Sequence, residues 1–183
     1  MADVRRRTVF HDRYEEISLL FELSQLLDQS MDLNLVIQPV LMAAADRLGF
    51  FRAAVTLLDR QTGEIFIEAA YGLSKTQKER ERYRLGEGIT GQVVQSGQAR
   101  VIPLVAEDPS FLNRTGAHDK RSNHEVSFIC VPIKLGNETI GAFSIDRSAA
   151  DEGELQDNVR LISIIASLIA QAVHIRQSVM EEK

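Results

Sequence analysis

The chain has 183 residues, a formal net charge of −5, and 44% hydrophobic and 26% charged residues. This length predicts one globular domain, and the acidic balance argues against a free-standing nucleic-acid-binding protein, which usually has a basic surface. A single cysteine excludes an intrachain disulfide. Together with the lack of an apolar run near the N-terminus, it predicts a cytoplasmic protein without a signal peptide or membrane span.

Two helices are predicted to open the chain. Residues 11–29 carry apolar side chains at helical spacing, among them Tyr14, Ile17 and Phe21. Asp32 is suited to cap a second helix over 33–48, because its short side chain can accept from a free amide of the first turn. Gly49 is a natural end for this helix, since glycine readily takes the left-handed conformation found there.

The hydrophobic pattern then changes to one typical of strands. Residues 53–58 and 64–71 flank a turn that contains Gly63, which predicts a β-hairpin. Residues 74–84 are highly charged and helical in composition. Residues 87–96 predict a further short helix, which a glycine ends.

A short strand and a long polar segment follow. Residues 100–103 predict a strand that cannot lie in the centre of a sheet, because Pro103 has no amide donor. Residues 104–125 are long for a loop inside a compact domain, so we expect a functional, partly helical lid. Its donors and positive charges suit a small anionic metabolite, although a solvated loop with ordinary surface charges is the alternative. These side chains are Asn113, Arg114, Thr115, His118, Lys120 and Arg121.

The last part of the chain predicts a second hairpin and a long helix. Residues 126–135 and 139–146 flank a turn at Gly136, and both runs are apolar on both faces, so the sheet should be covered on both sides. The helix that begins near Glu154 has two adjacent apolar stripes. One stripe can pack on the sheet, and the other suits a parallel helix of a second subunit, unless the helix is wholly buried. The predicted dimer interface consists of Ile17, Phe21, Leu161, Ile165, Leu168, Ala172 and Ile175.

These elements predict an α+β architecture. A central antiparallel sheet of about five to six strands carries the N- and C-terminal helices on one face, and a helix and the lid cover a pocket on the other. Residues 1–14 form an N-terminal extension, residues 15–175 the sensory domain, and residues 176–183 the start of a C-terminal linker helix.

Motifs for catalysis are weak in this sequence. Gly86, Gly88 and Gly91 match the spacing of a dinucleotide fingerprint, but the charged residues before them are not a buried strand, so a tight entry to a short helix is the better interpretation. Cys130 lies in an apolar run and is predicted to be a small core residue. His118 and His124 could hold iron or zinc with Asp119, but surface histidines are the simpler interpretation, and we predict no metal site and no enzyme.

Several segments together resemble a known family. The residues are Tyr71-Gly72-Leu73, Leu85-Gly86-Glu87-Gly88-Ile89-Thr90-Gly91, Val131-Pro132-Ile133 and Ile140-Gly141-Ala142-Phe143-Ser144-Ile145-Asp146. With the order of elements, they look like a GAF domain over residues 15–175. Residues 83–91, 111–116 and 127–133 resemble more closely the amino-terminal regulatory domain of nitrogen-fixation transcriptional activators.

The resemblance implies a function. Such activators work with sigma-54 RNA polymerase, and the GAF domain controls an ATPase domain that this chain does not contain. Some members bind 2-oxoglutarate, a dicarboxylate that would suit Arg84, Arg114 and Arg121. The predicted ligand-binding residues are Arg84, Thr90, Asn113, Arg114, His118, Arg121 and Ser127. Alternatives are a constitutive dimerisation module with a vestigial pocket, a site for a regulatory protein partner, and a redox or gas sensor that uses a metal or haem.

Overall fold

The computed structural model of the chain describes residues 2–113 and 125–181. In chain order its elements are α1 (Ala2–Leu27), α2 (Leu33–Leu48), β1 (Arg52–Leu58), β2 (Glu64–Tyr71), α3 (Lys75–Arg80), β3 (Arg82–Arg84), α4 (Gly88–Ser96), β4 (Arg100–Ile102), β5 (Val126–Leu135), β6 (Glu138–Ser148) and α5 (Glu152–Glu181).

The strands form one six-stranded sheet in the order β3-β2-β1-β6-β5-β4. Every neighbouring pair is antiparallel, so the predicted sheet of five to six strands is confirmed. The β5–β6 hairpin turns at Gly136, whose φ of 59° is the positive value expected there.

The two faces of the sheet are covered by different elements. Helices α1, α2 and α5 lie on one face and enclose the larger core, in which Leu23, Ile37, Phe143 and Ile165 are fully buried. Helix α4 lies on the other face, where a smaller core includes Ile65, Val93 and Cys130. The predicted separation of the terminal helices from the segment over the opposite face is confirmed.

Local signals set the ends of α2 as predicted. The Asp32 side chain accepts a hydrogen bond from the Asn34 amide at 2.9 Å. At the other end, Gly49 has a φ of 70° and its amide donates to the Ala45 carbonyl. Helix α1 is longer than predicted, since it begins at Ala2 and not near residue 11.

Strand β3 was not predicted. The charged run 74–84 was expected to be one helix, but α3 ends at Arg80 and residues 82–84 pair with the outer edge of β2. The pairing satisfies backbone groups of β2 that would otherwise form an open edge, and it buries Tyr83. Both effects depend on a neighbour that is distant in sequence.

The second apolar stripe of α5 is largely covered within the chain. Ile165 and Ala172 are buried in the same core as α1 and α2, Leu168 is half-buried against it, and Leu161 is buried with 8% exposure. Much of the stripe is therefore covered within the chain, because α1 and α2 already contact α5, and the dimer interface stays a prediction. Ile17, Phe21 and Ile175 are exposed, at 66%, 68% and 52%.

Helix α5 is also the one helix in the described part of the chain that is long and apolar enough to cross a membrane, judged by length and composition. The sequence did not predict such a helix. Half of that span is buried inside the fold, which is typical of a core helix that packs on a sheet and on other helices.

Candidate ligand-binding cavity

A cavity lies on the face of the sheet that α4 covers. The centre of a water-sized molecule can occupy about 40 Å³ of it, and the atom-free space is about 500 Å³ when the opening to solvent is counted. Its polar walls are Arg52, Glu81, Tyr83, Thr90, Ser144 and Asp146, and its apolar walls include Leu73, Ile89, Phe111, Leu112 and Phe128. The predicted pocket between the sheet and the covering segment therefore exists within the described residues.

The strand register brings the polar floor together. Residue Arg52 of β1 pairs with Asp146 of β6, and Asp146 also lies opposite Phe128 of β5. Ser144, two residues before Asp146 on β6, lies on the same face because side chains alternate along a strand. Its partner on β1 is Ala54, whose small side chain leaves room for the cavity.

An ion pair is fixed in this floor. The Nε atom of Arg52 donates to Oδ2 of Asp146 at 2.6 Å, and the two side chains are only 15% and 7% exposed. Such a charge-assisted hydrogen bond is stronger than a neutral one, so it holds both groups in one orientation.

Glu81 brings a second carboxyl group to the cavity wall. It follows α3 directly, and only 7% of the residue is exposed. Burial, opposed by a hydrogen bond with the Tyr83 side chain and reinforced by the charge of Asp146, raises the pKa of Glu81 to about 7. A carboxyl with this pKa changes its charge near neutral pH.

The glycine-rich loop gives α4 its tight entry. A Cβ atom at Gly91 would lie 2.3 Å from the Arg84 carbonyl oxygen, so only glycine fits there. The Gly86 amide donates to the Gly91 carbonyl at 2.9 Å, which closes the loop. The strand before this loop is the edge strand β3 of an antiparallel sheet, so the prediction that these glycines are not a dinucleotide fingerprint is supported by their context. The loop places Thr90 of α4 in the cavity wall.

Two phenylalanines form an aromatic wall. The rings of Phe111 and Phe128 meet edge to face, with centroids 5.2 Å apart and planes at 74°. Phe128 is held by strand β5, whereas Phe111 belongs to the segment that follows β4, so the wall joins the sheet to its cover.

The structure brings only some of the predicted ligand-binding residues to this cavity. Thr90 lines it. Arg84 is exposed outside it, because its strand neighbour Tyr83 points inward and adjacent side chains alternate. Ser127 is buried next to the inward-facing Phe128 and donates to the Pro103 carbonyl at 2.6 Å. Asn113 is exposed at the end of the described segment. Arg114, Thr115, His118, Asp119, Lys120, Arg121 and His124 lie outside the described residues.

Arg52, Glu81, Tyr83 and Asp146 were missed by sequence reasoning. One signal was available for Asp146, since it stands two residues after Ser144 in an otherwise apolar run and shares its face. Glu81 gave no such signal, because it is one of several charges in the run 74–84.

Cys130 is a buried core residue, as predicted. Its side chain is fully buried, and burial raises the pKa of the thiol far above its ordinary value, with the charge of Glu81 adding to the rise and a hydrogen bond with Thr90 opposing it. The thiol is therefore protonated and poorly nucleophilic. Within residues 2–113 and 125–181 there is no group of three or more side chains arranged to hold a metal ion.

The chain is similar to known proteins over most of its length. Residues 30–174 match the family described as "GAF domain". Nitrogen fixation protein VnfA of Azotobacter vinelandii is 39% identical over 164 residues, which are 89% of this chain and 31% of that protein. The Nif-specific regulatory protein of Azospirillum brasilense is 35% identical over 92% of this chain and 27% of its own length. The chain thus spans about a third or less of these curated relatives.

Solved structures show the same architecture. The A. Aeolicus nlh2 GAF domain in an inactive state superposes with a TM-score of 0.79 at 26% identity, over 90% of this chain and 98% of that one. The GAF domain of a phosphoenolpyruvate-protein phosphotransferase from Coxiella burnetii has a TM-score of 0.73 at 18% identity, over 89% and 95% of the two chains. At 18% identity, the similarity to the Coxiella burnetii domain shows a shared fold only.

Proposed function

The chain belongs to the GAF domain family, and from this premise we propose that it senses a small molecule in the cavity beneath α4 and has no catalytic activity of its own. Its relatives are regulatory proteins of nitrogen fixation, so it is a regulatory domain of that type. The observation that carries the proposal is the cavity itself, where buried charged groups from β1, β6 and the α3–β3 connection meet between aromatic side chains. Concave sites of this kind are where small ligands bind.

The output of the domain is part of the same proposal. By analogy with activators that work with sigma-54 RNA polymerase, occupancy of the cavity would control an ATPase domain in a longer, cytoplasmic protein. Helix α5 is the natural route, because it packs on β5 and also on α1. A ligand shifts this equilibrium only if it binds one arrangement of the helices more tightly than the other.

2-Oxoglutarate is the first ligand to test. Its two carboxylates need cations, and Arg52 in the cavity is engaged with Asp146. Binding would therefore draw on the arginines predicted from the sequence, Arg114 and Arg121. We expect saturable heat in a calorimetric titration of the chain, and loss of binding in the variant that combines Arg114→Ala with Arg121→Ala.

The control for this titration is Arg160→Ala, which removes an exposed arginine of α5 that pairs with Asp157 one turn earlier. It should bind like the unmodified chain. Absence of saturable binding up to millimolar 2-oxoglutarate, or equal binding by all variants, would reject this ligand and leave the cavity open to another.

A dimerisation module is the second candidate function. It is favoured by the apolar side chains that α1 exposes, Tyr14, Ile17 and Phe21, which are 71%, 66% and 68% exposed and lie at spacings of three and four residues. Such a row on a helix is typical of a contact with another helix. A homodimer through the terminal helices is compatible with ligand sensing. Dimerisation would be the sole function only if the cavity bound no ligand.

A further inference from the structure

The described part of the cavity wall has more acidic than basic side chains. Among the described residues that line it, Glu81 and Asp146 are acidic and Arg52 is basic. The Arg52 guanidinium is committed to Asp146 at 2.6 Å, so this pair is close to neutral. When Glu81 is ionised, the described wall therefore has a net negative charge.

Glu81, which gives the described wall its net negative charge, is buried in the fold. Among the described residues, the titratable groups that interact with it are Asp146 on β6, Tyr83 on β3 and the Cys130 thiol on β5, and Arg52 on β1 lines the same cavity. The thiol is neutral near pH 7, because burial raises its pKa. A buried carboxylate in such surroundings is stabilised by any cation that enters the cavity, because burial has removed most of its hydration.

The apolar side chains of the cavity suit the rest of such a cation. The perpendicular rings of Phe111 and Phe128 present aromatic surface. Leu73 and Ile89 extend this surface with aliphatic side chains. Aromatic rings attract an ammonium group through their negative faces and bind hydrocarbon at the same time. Carboxylates and aromatic rings in one cavity form a favourable setting for a small organic cation.

We infer that the cavity binds a small molecule with a protonated amine, which lies between Glu81 and Asp146 while its hydrocarbon part packs on Phe111 and Phe128. The inference rests on the proposed sensory function, since it assigns a ligand class to the same cavity. It gives Glu81 the role of a ligand-binding residue.

A proton balance distinguishes this role from a structural one. Burial holds the pKa of Glu81 at about 7, so at pH 6 most chains carry the neutral carboxyl group. An ammonium group favours the ionised form, so binding at pH 6 should release a proton from Glu81. At pH 8.5 the carboxyl is already ionised, so no proton is released and the affinity is higher.

The test uses butylammonium chloride as the probe and butanol as its neutral counterpart. Each is titrated calorimetrically into the whole chain at pH 6 and pH 8.5, in two buffers that differ in ionisation enthalpy. We expect butylammonium to bind more tightly than butanol, with release approaching one proton at pH 6. Glu81→Gln should weaken butylammonium binding at pH 8.5 by about tenfold or more and abolish the proton release. The control is Glu79→Gln, at a neighbouring exposed position, which should leave the affinity for butylammonium and the proton release unchanged.

Three results would overturn the inference. These are equal binding of butylammonium and butanol, equal affinity in Glu81→Gln and the unmodified chain, or proton release that persists in Glu81→Gln. If 2-oxoglutarate saturates the chain and butylammonium does not bind, the ligand class is wrong and the sensory function stands. If neither probe binds, the amine class is rejected as well, and the sensory function would require a ligand of another class.

Discussion

At the residue scale, the environment of Glu81 links stability to pH. In the unfolded chain this carboxyl has its ordinary pKa of 4.5, whereas burial beside Asp146 raises it to about 7 in the folded state. Between these two values the folded protein keeps a proton that the unfolded chain has released. Stability attributable to Glu81 is therefore complete below pH 4.5 and is lost as the pH rises through 7.

We accordingly predict that Glu81→Gln stabilises the domain above pH 7 relative to the unmodified chain, while the two converge near pH 4.5. The full difference is on the order of 3 kcal/mol, and relaxation of the site would reduce it. Urea unfolding followed by circular dichroism from pH 4.5 to 8 measures this difference. For Glu79→Gln, at an exposed position, the free energy of unfolding should change with pH as it does in the unmodified chain. The same pH dependence in Glu81→Gln would contradict the assigned pKa.

At the element scale, Arg176 joins α5 to the connection between α1 and α2. Its guanidinium is buried and donates to the carbonyls of Leu27 at 2.7 Å, Met31 at 3.1 Å and Ala172 at 2.8 Å, and also to the Ser30 carbonyl. Carbonyls at the end of α1 lack partners within their own helix, so the guanidinium acts as their cap. The contact ties the output helix to the N-terminal helix.

Removal of this cap should weaken the helix layer. Arg176→Met keeps much of the side-chain volume but leaves buried carbonyls without donors. We predict a loss on the order of 3 kcal/mol in the free energy of unfolding, measured by urea denaturation. Arg160→Met, on an exposed part of the same helix, should change it by less than about 0.5 kcal/mol. Equal effects of the two substitutions would show that the Arg176 contacts contribute little.

At the scale of the whole molecule, the exposed apolar row of α1 points to self-association. We predict that sedimentation of the chain at micromolar concentration shows a dimer. Combining Ile17→Glu with Phe21→Glu should shift it to monomer, with a dissociation constant at least about tenfold higher, because two charges would be buried at the contact. Leu35→Glu, at a comparably exposed position on α2, is the control. A dimer unaffected by the double substitution would place the interface elsewhere.

The kinds of element and their order were predictable from local sequence patterns. Helix α2 with its caps, the hairpins β1–β2 and β5–β6, and the short α4 were all predicted, because apolar spacing, capping residues and turn glycines act over a few residues. From these elements and the motifs around Gly86–Gly91 and Ile140–Asp146, the α+β class and the GAF family also followed.

Which side chains contact each other depends on how the elements pack in the tertiary structure. Strand β3 exists because β2 offers an edge, and most of the second stripe of α5 is covered because α1 and α2 pack on this helix. Arg84 and Ser127 were expected at the ligand site, but the alternation of side chains along their strands turns them away from the cavity. Arg52, Glu81 and Asp146 reach it from separate elements. Their charge and burial depend on neighbours that no local pattern encodes, so the chemistry of the cavity could not be predicted from the sequence.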